Sequence, residues 1–443
     1  MTETARVDVG PLTHRRVLHI AVPIVLSNTT VPILGLVDTG VVGQLGEAAP
    51  IGAVGVGAII LTSVYWIFGF LRMGTSGLAA QARGSGDVTE TGAILMRALM
   101  IGASAGLALI VLQIPLFAAA FRIAPASDEV EGLAQGYLAI RIWGAPATIA
   151  IYAVTGWLIA VERTRGVLAL QLWMNGLNIA LDLWFVLGLG WGAQGVAAAT
   201  LIAEWSALAL GLWLCRDAFA GSVWRDMARV LDPVRVKRMM QVNGDIMLRT
   251  VLLQASFTSF VFVGAGFGDV TLAANQVLLQ FLNVVAFGLD GFAFAAEALV
   301  GQAVGARSLP ALRRAAKLTS QWGLKTALLL ALGFWLLGPA LIDVMARDTA
   351  VQDAARVYLP WIVAAAVLSL ASYMFDGIFI GATATREMRN AMLASVAVYA
   401  LALLVLVPAL GNHGLWAGLM VLNVTRGVTM GLYYPRIEAR ATG

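Results

Sequence analysis

The stretch Leu324-Lys-Thr-Ala-Leu-Leu-Leu-Ala-Leu-Gly-Phe-Trp-Leu-Leu337 decides the fold. Its apolar residues follow one another without the every-other-residue alternation of a membrane β-barrel strand, which would also be about half as long as a helical span. The segment that holds it, 314–342, exceeds the roughly 20 apolar residues with which a helix crosses hydrocarbon. Comparable segments recur at 16–45, 51–80, 92–121, 132–160, 166–189, 194–215, 239–265, 271–305, 355–381, 390–410 and 414–434. Composition agrees, because a 443-residue chain with 60% hydrophobic and 12% charged residues cannot clothe a soluble fold in polar side chains. The reading is an all-α polytopic membrane protein of twelve transmembrane helices.

Charge placement sets the orientation. With the N-terminus inside, twenty Lys/Arg fall in or beside one set of loops, including Arg15, Arg16, Arg163, Arg165, Arg235, Lys237, Arg313 and Arg436, against Arg122, Arg347 and Arg356 on the other side. The positive-inside rule then places both termini in the cytoplasm, at the inner membrane, and the net charge of +4 reflects topology rather than nucleic-acid binding. Arg15 and Arg16 precede an apolar stretch with no small-residue cleavage site, so it reads as a retained first helix rather than a signal peptide. A single cysteine, Cys215, excludes an internal disulfide, and no Cys/His spacing suits a metal.

The chain is duplicated. At a shift of 221 residues, Gln81-Ala-Arg-Gly84 lies over Gln302-Ala-Val-Gly305, Tyr137-Leu138 over Tyr358-Leu359, and Gly156 over Gly377. Six helices per repeat is an even number, so both halves insert the same way round and relate by a pseudo-two-fold along the membrane normal. The expected domains are a six-helix lobe over 1–215, a basic cytoplasmic linker over 216–238 with Asp232-Pro233, and a second six-helix lobe over 239–443. Such repeats are the architecture that alternating access requires.

Charges inside the spans separate transport from mere packing, since an ionised carboxylate in hydrocarbon costs several kcal/mol unless paired, protonated or hydrated. Asp38, Asp182, Glu204, Asp290, Glu297 and Asp376 lie in spans. The shift sets Asp38 opposite Ser259, Asp182 opposite Leu403, Asp290 opposite Gly69, Glu297 opposite Ser76 and Asp376 opposite Thr155, so none of these is duplicated. In the amino-terminal half, Asn175, Asn178 and Asp182 form a polar stripe on one helical face, which Thr200 is placed to complete. Asp38 follows Pro32 by six residues, and proline weakens the helical ladder there. A small polar pocket beside a deformable helix is the expectation. The plainer reading of Asn178 and Asp182 is an interhelical hydrogen-bond clamp, worth about 0.6 kcal/mol. In the carboxyl-terminal half Arg249, Asp290, Glu297 and Asp376 form a polar network, with Arg249 expected to pair with Asp290 or Glu297. Asp376 and Glu204 read as structural or vestibular.

The run Val31-Pro-Ile-Leu-Gly-Leu-Val-Asp38-Thr-Gly-Val-Val-Gly-Gln44 resembles the first-helix signature of multidrug and toxic compound extrusion (MATE) transporters. Asp245-Ile-Met-Leu-Arg249-Thr, Leu289-Asp290-Gly-Phe-Ala-Phe-Ala-Ala-Glu297-Ala and Asp376-Gly-Ile-Phe-Ile-Gly-Ala-Thr383 are similar to the branch named for the DNA-damage-inducible protein F. The resemblance spans essentially the whole chain. It implies two lobes, cation-coupled export and cationic or amphipathic organic substrates, with Asp38, Asn178, Asp182 and Thr200 at the amino-terminal site. Sodium-coupled relatives carry an acid deep in the seventh helix, where this chain has Leu252-Leu253-Gln254, and some have a tyrosine where it has Leu34. The resemblance therefore favours protons over sodium, with no cofactor beyond the proton gradient.

Other classes fare worse. Gly102-Ala-Ser104-Ala-Gly106 fits the G-x-S-x-G pattern, but it lies within a continuous helical run rather than at a strand-to-helix turn, and His14, His19 and His413 offer it no base. An enzyme is not expected. A flippase or exporter of a lipid-linked or amphipathic metabolite is the alternative, disfavoured because only Arg72, Arg97, Arg141, Arg249, Lys325 and Arg426 are basic within spans. A channel needs a ring or filter that the sequence does not show. The expected partners are small organic substrates, protons and the bilayer, with no nucleic acid, and the working state is a monomer.

Overall fold

A computed structural model of the chain describes residues 10–44, 48–123, 127–220, 224 and 226–442. The helices are α1 (His14–Gly43), α2 (Ala48–Ile67), α3 (Phe70–Gly84), α4 (Val88–Val111), α5 (Gln113–Ile123), α6 (Asp128–Arg141), α7 (Ala145–Ala160), α8 (Thr164–Asp182), α9 (Gly192–Leu214), α10 (Met227–Val230), α11 (Pro233–Ala265), α12 (Asp269–Gly305), α13 (Leu309–Met345), α14 (Thr349–Leu368), α15 (Leu370–Gly381), α16 (Thr385–Leu410) and α17 (Asn412–Arg440). Among the described residues eleven helical stretches are long and apolar enough to cross a membrane, and the 30-residue α1 precedes them.

Several helices begin earlier than hydropathy alone suggests because polar caps start them. Asp87 caps α4 by accepting from the Glu90 amide at 2.8 Å, and Ser127 accepts from Val130 at the start of α6. The shift of 221 turns these into Ser308 and Asp348, which cap α13 and α14. Adding 221 to Ala48, Gly84, Val88 and Thr164 likewise gives the observed bounds Asp269, Gly305, Leu309 and Thr385. The repeat is thus written in the backbone. It differs where α2 and α3 break around Phe68-Gly69 while α12 runs unbroken.

The repeated glycines are close-packing points, as expected where apolar burial offers little driving force between helices. A Cβ on Gly156 would lie 2.2 Å from the carbonyl oxygen of Arg72, and one on Gly377 would lie 2.2 Å from that of Ala293, the residue equivalent to Arg72. Gly84 and Gly305 make a reciprocal pair: their Cβ positions fall 2.0 Å from the carbonyl oxygens of Gln302 and Gln81. Gly106 packs in the same way against Pro146 while Ser104 faces outward, so the G-x-S-x-G run is a helix crossing between α4 and α7.

By contacts the chain forms two compact units, one of residues 26–79 and 87–239, the other of 80–86, 240 onward and the chain up to Val25. Val41, Leu61, Tyr65, Phe121, Tyr137 and Leu138 belong to the core of the first. Phe260, Phe281, Phe334 and Trp416 belong to that of the second, with the ring centroids of Phe260 and Trp416 4.8 Å apart. The basic segment after α9 is strapped onto the start of α4. Arg229 holds Asp87 at 2.7 Å, Arg235 pairs with Glu90, and Arg97 donates to the Val230 carbonyl at 2.7 Å.

Candidate functional site

The first unit assembles the expected polar stripe. Three elements contribute: the middle of α1, the C-terminal half of α8 and the start of α9. Asn175 donates to the Thr30 hydroxyl at 3.0 Å and accepts from Gln171 at 3.1 Å. One turn further along α8, Asn178 donates to the Thr200 hydroxyl at 2.9 Å, which in turn donates to the Val196 carbonyl at 2.9 Å. Asn178 and Asp182 are wholly buried. Asp182 closes α8, and the chain continues as a π-helical segment, Leu183–Gly188. Such widened turns recur at functional sites, and the equivalent α16 runs straight through to Leu410.

Asp38 lies on the helical backbone of α1, and its side chain is outside the described residues. Its level is set by register. Thr30 meets Asn175, and α1 and α8 are both odd-numbered spans running in the same direction, so at 1.5 Å per residue the eight residues to Asp38 and the seven to Asp182 end at nearly the same depth. Pro32 lies exposed in α1 between Thr30 and Asp38.

The carboxyl-terminal network is wired differently from the sequence reading. Arg249, expected on Asp290 or Glu297, forms its ion pair with Asp376, and Arg426 reaches the same carboxylate oxygen at 2.6 Å. Arg249, Asp376 and Arg426 are 6%, 9% and 4% exposed, so one carboxylate holds two guanidiniums out of solvent. Asp290 acts electrostatically on Arg249 and on Tyr373, and Glu297 is buried in α12. The physical reason is helix placement, since Asp376 on α15 faces both α11 and α17. Glu204, read as structural or vestibular, pairs with buried Arg141 at 2.7 Å. Sequence reasoning missed Arg426 and Arg141 as partners; the usable signal was that each arginine inside a span needs a carboxylate at matching depth.

Comparison with known proteins identifies the family and the fold. The MatE family model matches residues 23–184 and 246–406, one match in each half. The chain is 38% identical over 419 residues to DNA damage-inducible protein F of Escherichia coli (strain K12), covering 94% of this chain and 91% of that one. It is 25% identical to a probable multidrug resistance protein NorM of Acinetobacter baylyi, covering 78% of each. Among solved structures it is similar to the Vibrio cholerae MATE transporter VcmN in the bent form, with a TM-score of 0.86, 20% identity and 97% of both chains covered, a likeness of fold. Capped repeats, a buried polar stripe beside a proline-bearing first helix and a family match in both halves converge: this multi-pass membrane protein belongs to the MatE family of multidrug and toxic compound extrusion transporters.

Proposed function

We propose that the chain is a proton-driven antiporter that exports cationic or amphipathic organic compounds by alternating access, with Asp38 and Asp182 as the proton-carrying groups. The observation that carries the reading is the buried stripe of Asn175, Asn178, Thr200 and Asp182 beside α1, with Asp38 at the level of Asp182. A carboxyl there changes its hydrogen-bonding capacity on taking up a proton, from acceptor only to donor and acceptor. A helix lacking one ladder hydrogen bond at Pro32 is the element suited to bend in response. The repeat adds support: Ser259 and Tyr399, equivalent to Asp38 and Asn178, hold their hydroxyls 3.1 Å apart. Protons rather than sodium are favoured because Asp376 in the other half is already committed to Arg249 and Arg426, and the seventh helix has Leu252-Leu253-Gln254 where sodium-coupled relatives carry an acid. The lobes 1–215 and 239–443 with their 216–238 linker, the inner-membrane location, cytoplasmic termini and a monomeric working state complete the proposal.

The test is efflux of ethidium from proteoliposomes under an imposed pH gradient, with and without sodium. Asp38→Asn should fold and insert yet reduce pH-driven efflux to that of protein-free vesicles, and Asp182→Asn should impair it similarly or less. Wild-type rates and pH dependence in Asp38→Asn would overturn the mechanism, because obligatory exchange needs the proton and the substrate to favour different states of one equilibrium.

A further inference from the structure

The shift of 221 carries the amino-terminal stripe onto a cavity. Asp38, Asn175, Asn178 and Asp182 map onto Ser259, Val396, Tyr399 and Leu403. All four line one space of about 600 Å3 between α11 and α16 in the second unit. The helices correspond as well as the residues, since α16 begins 221 positions after α8. What differs is the chemistry. Two acids and two amides in the first half become two hydroxyls, a valine and a leucine in the second.

The cavity has one polar corner. The Ser259 and Tyr399 hydroxyls lie 3.1 Å apart, and each reaches the Ser256 carbonyl, at 2.8 and 3.2 Å. Two hydroxyls carry two protons and four acceptor lone pairs. Satisfying that carbonyl and each other leaves acceptor capacity for a ligand. Tyr399 is 3% exposed, so its hydroxyl is fixed by packing. The residues lining the rest, such as Val263, Leu404 and Val407, are uncharged. A mostly apolar space of this volume with a few convergent polar groups is the usual form of a small-molecule site.

We infer that this cavity is a second binding site, which takes the uncharged aromatic or aliphatic part of an exported compound and orients it through one hydrogen bond at the Ser259–Tyr399 corner. The inference rests on the transport reading for its physiological meaning but not for its test. Duplication supplied two equivalent sets of positions. Removing the acids from one leaves a neutral pocket for a neutral group, while the other keeps its carboxyls. An acyl chain of the bilayer would fill the apolar walls and leave the hydroxyl corner unmatched.

The probe is 4-hydroxybenzophenone, a neutral aromatic ketone with one hydroxyl, photolabelled onto the purified protein in phospholipid nanodiscs with no gradient. Labelled peptides should concentrate on 255–263 and 396–408. Leu403→Trp, or Ala400→Leu if that variant folds poorly, should lower labelling at least about 10-fold by filling the space. Tyr399→Phe should lower it about 5-fold, the loss of one hydrogen bond of about 1 kcal/mol. Leu401→Trp, on a residue 64% exposed and outside the lining, should leave it unchanged. Labelling is read with no gradient, whereas proton coupling is read by efflux under one, so failed labelling and failed proton coupling are distinct results. Labelling insensitive to both filling variants would overturn the inference. So would labelling seen in detergent but lost in nanodiscs, which marks a lipid chain as the occupant.

Discussion

Asp376→Asn should be the most damaging single change in the carboxyl-terminal network, more so than loss of either arginine. The side chains of Arg249, Arg426 and Asp376 retain 7%, 5% and 12% of their exposure, so the cluster is effectively out of water. Removing one partner of such a pair costs about 3–5 kcal/mol, chiefly by stranding a charge. Asparagine at 376 strands two guanidiniums at once and belongs at the upper end, about 5 kcal/mol. Arg249→Met strands nothing, because Arg426 still holds the carboxylate at 2.6 Å. It should cost only about 1.5–3 kcal/mol, the value of a charged hydrogen bond. In the double variant one guanidinium has gone with the carboxylate, so the loss should fall short of the sum by about 2 kcal/mol. The assay is provided by the chain. Cys215 is its only cysteine and is fully buried, so reaction with a thiol-activated fluorophore reports unfolding as SDS is titrated into dodecyl maltoside. Equal losses for Asp376→Asn and Arg249→Met, with an additive double variant, would refute the shared-carboxylate arrangement.

Two further outcomes follow from the repeat and the charge bias. Gly156→Ala and Gly377→Ala should destabilise by similar amounts, at least about 2 kcal/mol each, because each new Cβ meets a backbone oxygen at 2.2 Å, while Gly176→Ala, with nothing within 4 Å, should be neutral in the same unfolding assay. With Cys215 replaced by Ser, single cysteines at Thr442 and Gln194 should be labelled from opposite faces of a right-side-out vesicle; labelling from one face would break the twelve-span topology. Gln194 is preferred to neighbouring Ala193, which is buried.

The fold was legible because its signals are local or periodic. Apolar run length gave the spans, and the 221-residue shift gave the duplication that the caps at Asp87, Ser127, Ser308 and Asp348 later displayed in the backbone. The polar stripe was legible for the same reason, since Asn175, Asn178 and Asp182 lie on one face of one helix. Thr200 needed only its hairpin neighbour. What escaped was pairing across sequence distance. Arg249 and Asp376 are 127 residues apart, and two acids seven apart on α12 looked the more natural partners, yet helix azimuth turns Arg249 toward α15. Nothing in a single sequence encodes azimuth between helices that are not consecutive. Arg141 and Glu204 escaped likewise, at a separation of 63.

The positions of the two buried ion clusters say how a duplicated scaffold becomes asymmetric. Subtracting 221 from Arg249, Asp376 and Arg426 gives Asn28, Thr155 and Trp205, and adding it to Arg141 and Glu204 gives Ile362 and Thr425, all uncharged. Each half therefore anchors its helices with a charge cluster that the other lacks, while the contact of Gly156 with Arg72 and its copy between Gly377 and Ala293 stay the same. Backbone contacts demand small residues and are hard to alter singly, because any Cβ there collides with a carbonyl oxygen. Charges tolerate relocation provided partner and counter-charge move together. A proton gradient acts only where a carboxyl is free to change state. Asp376 is pinned by two arginines and Glu204 by one, whereas in the α1–α8 stripe Asp182 is buried one turn beyond an amide and a hydroxyl, Asn178 and Thr200, that bond each other. On the proposed mechanism, protons would do work on the half where Asp182 lies beside Asn178 and Thr200, and the half whose equivalent positions include Ser259 and Tyr399 would bind what protons do not move.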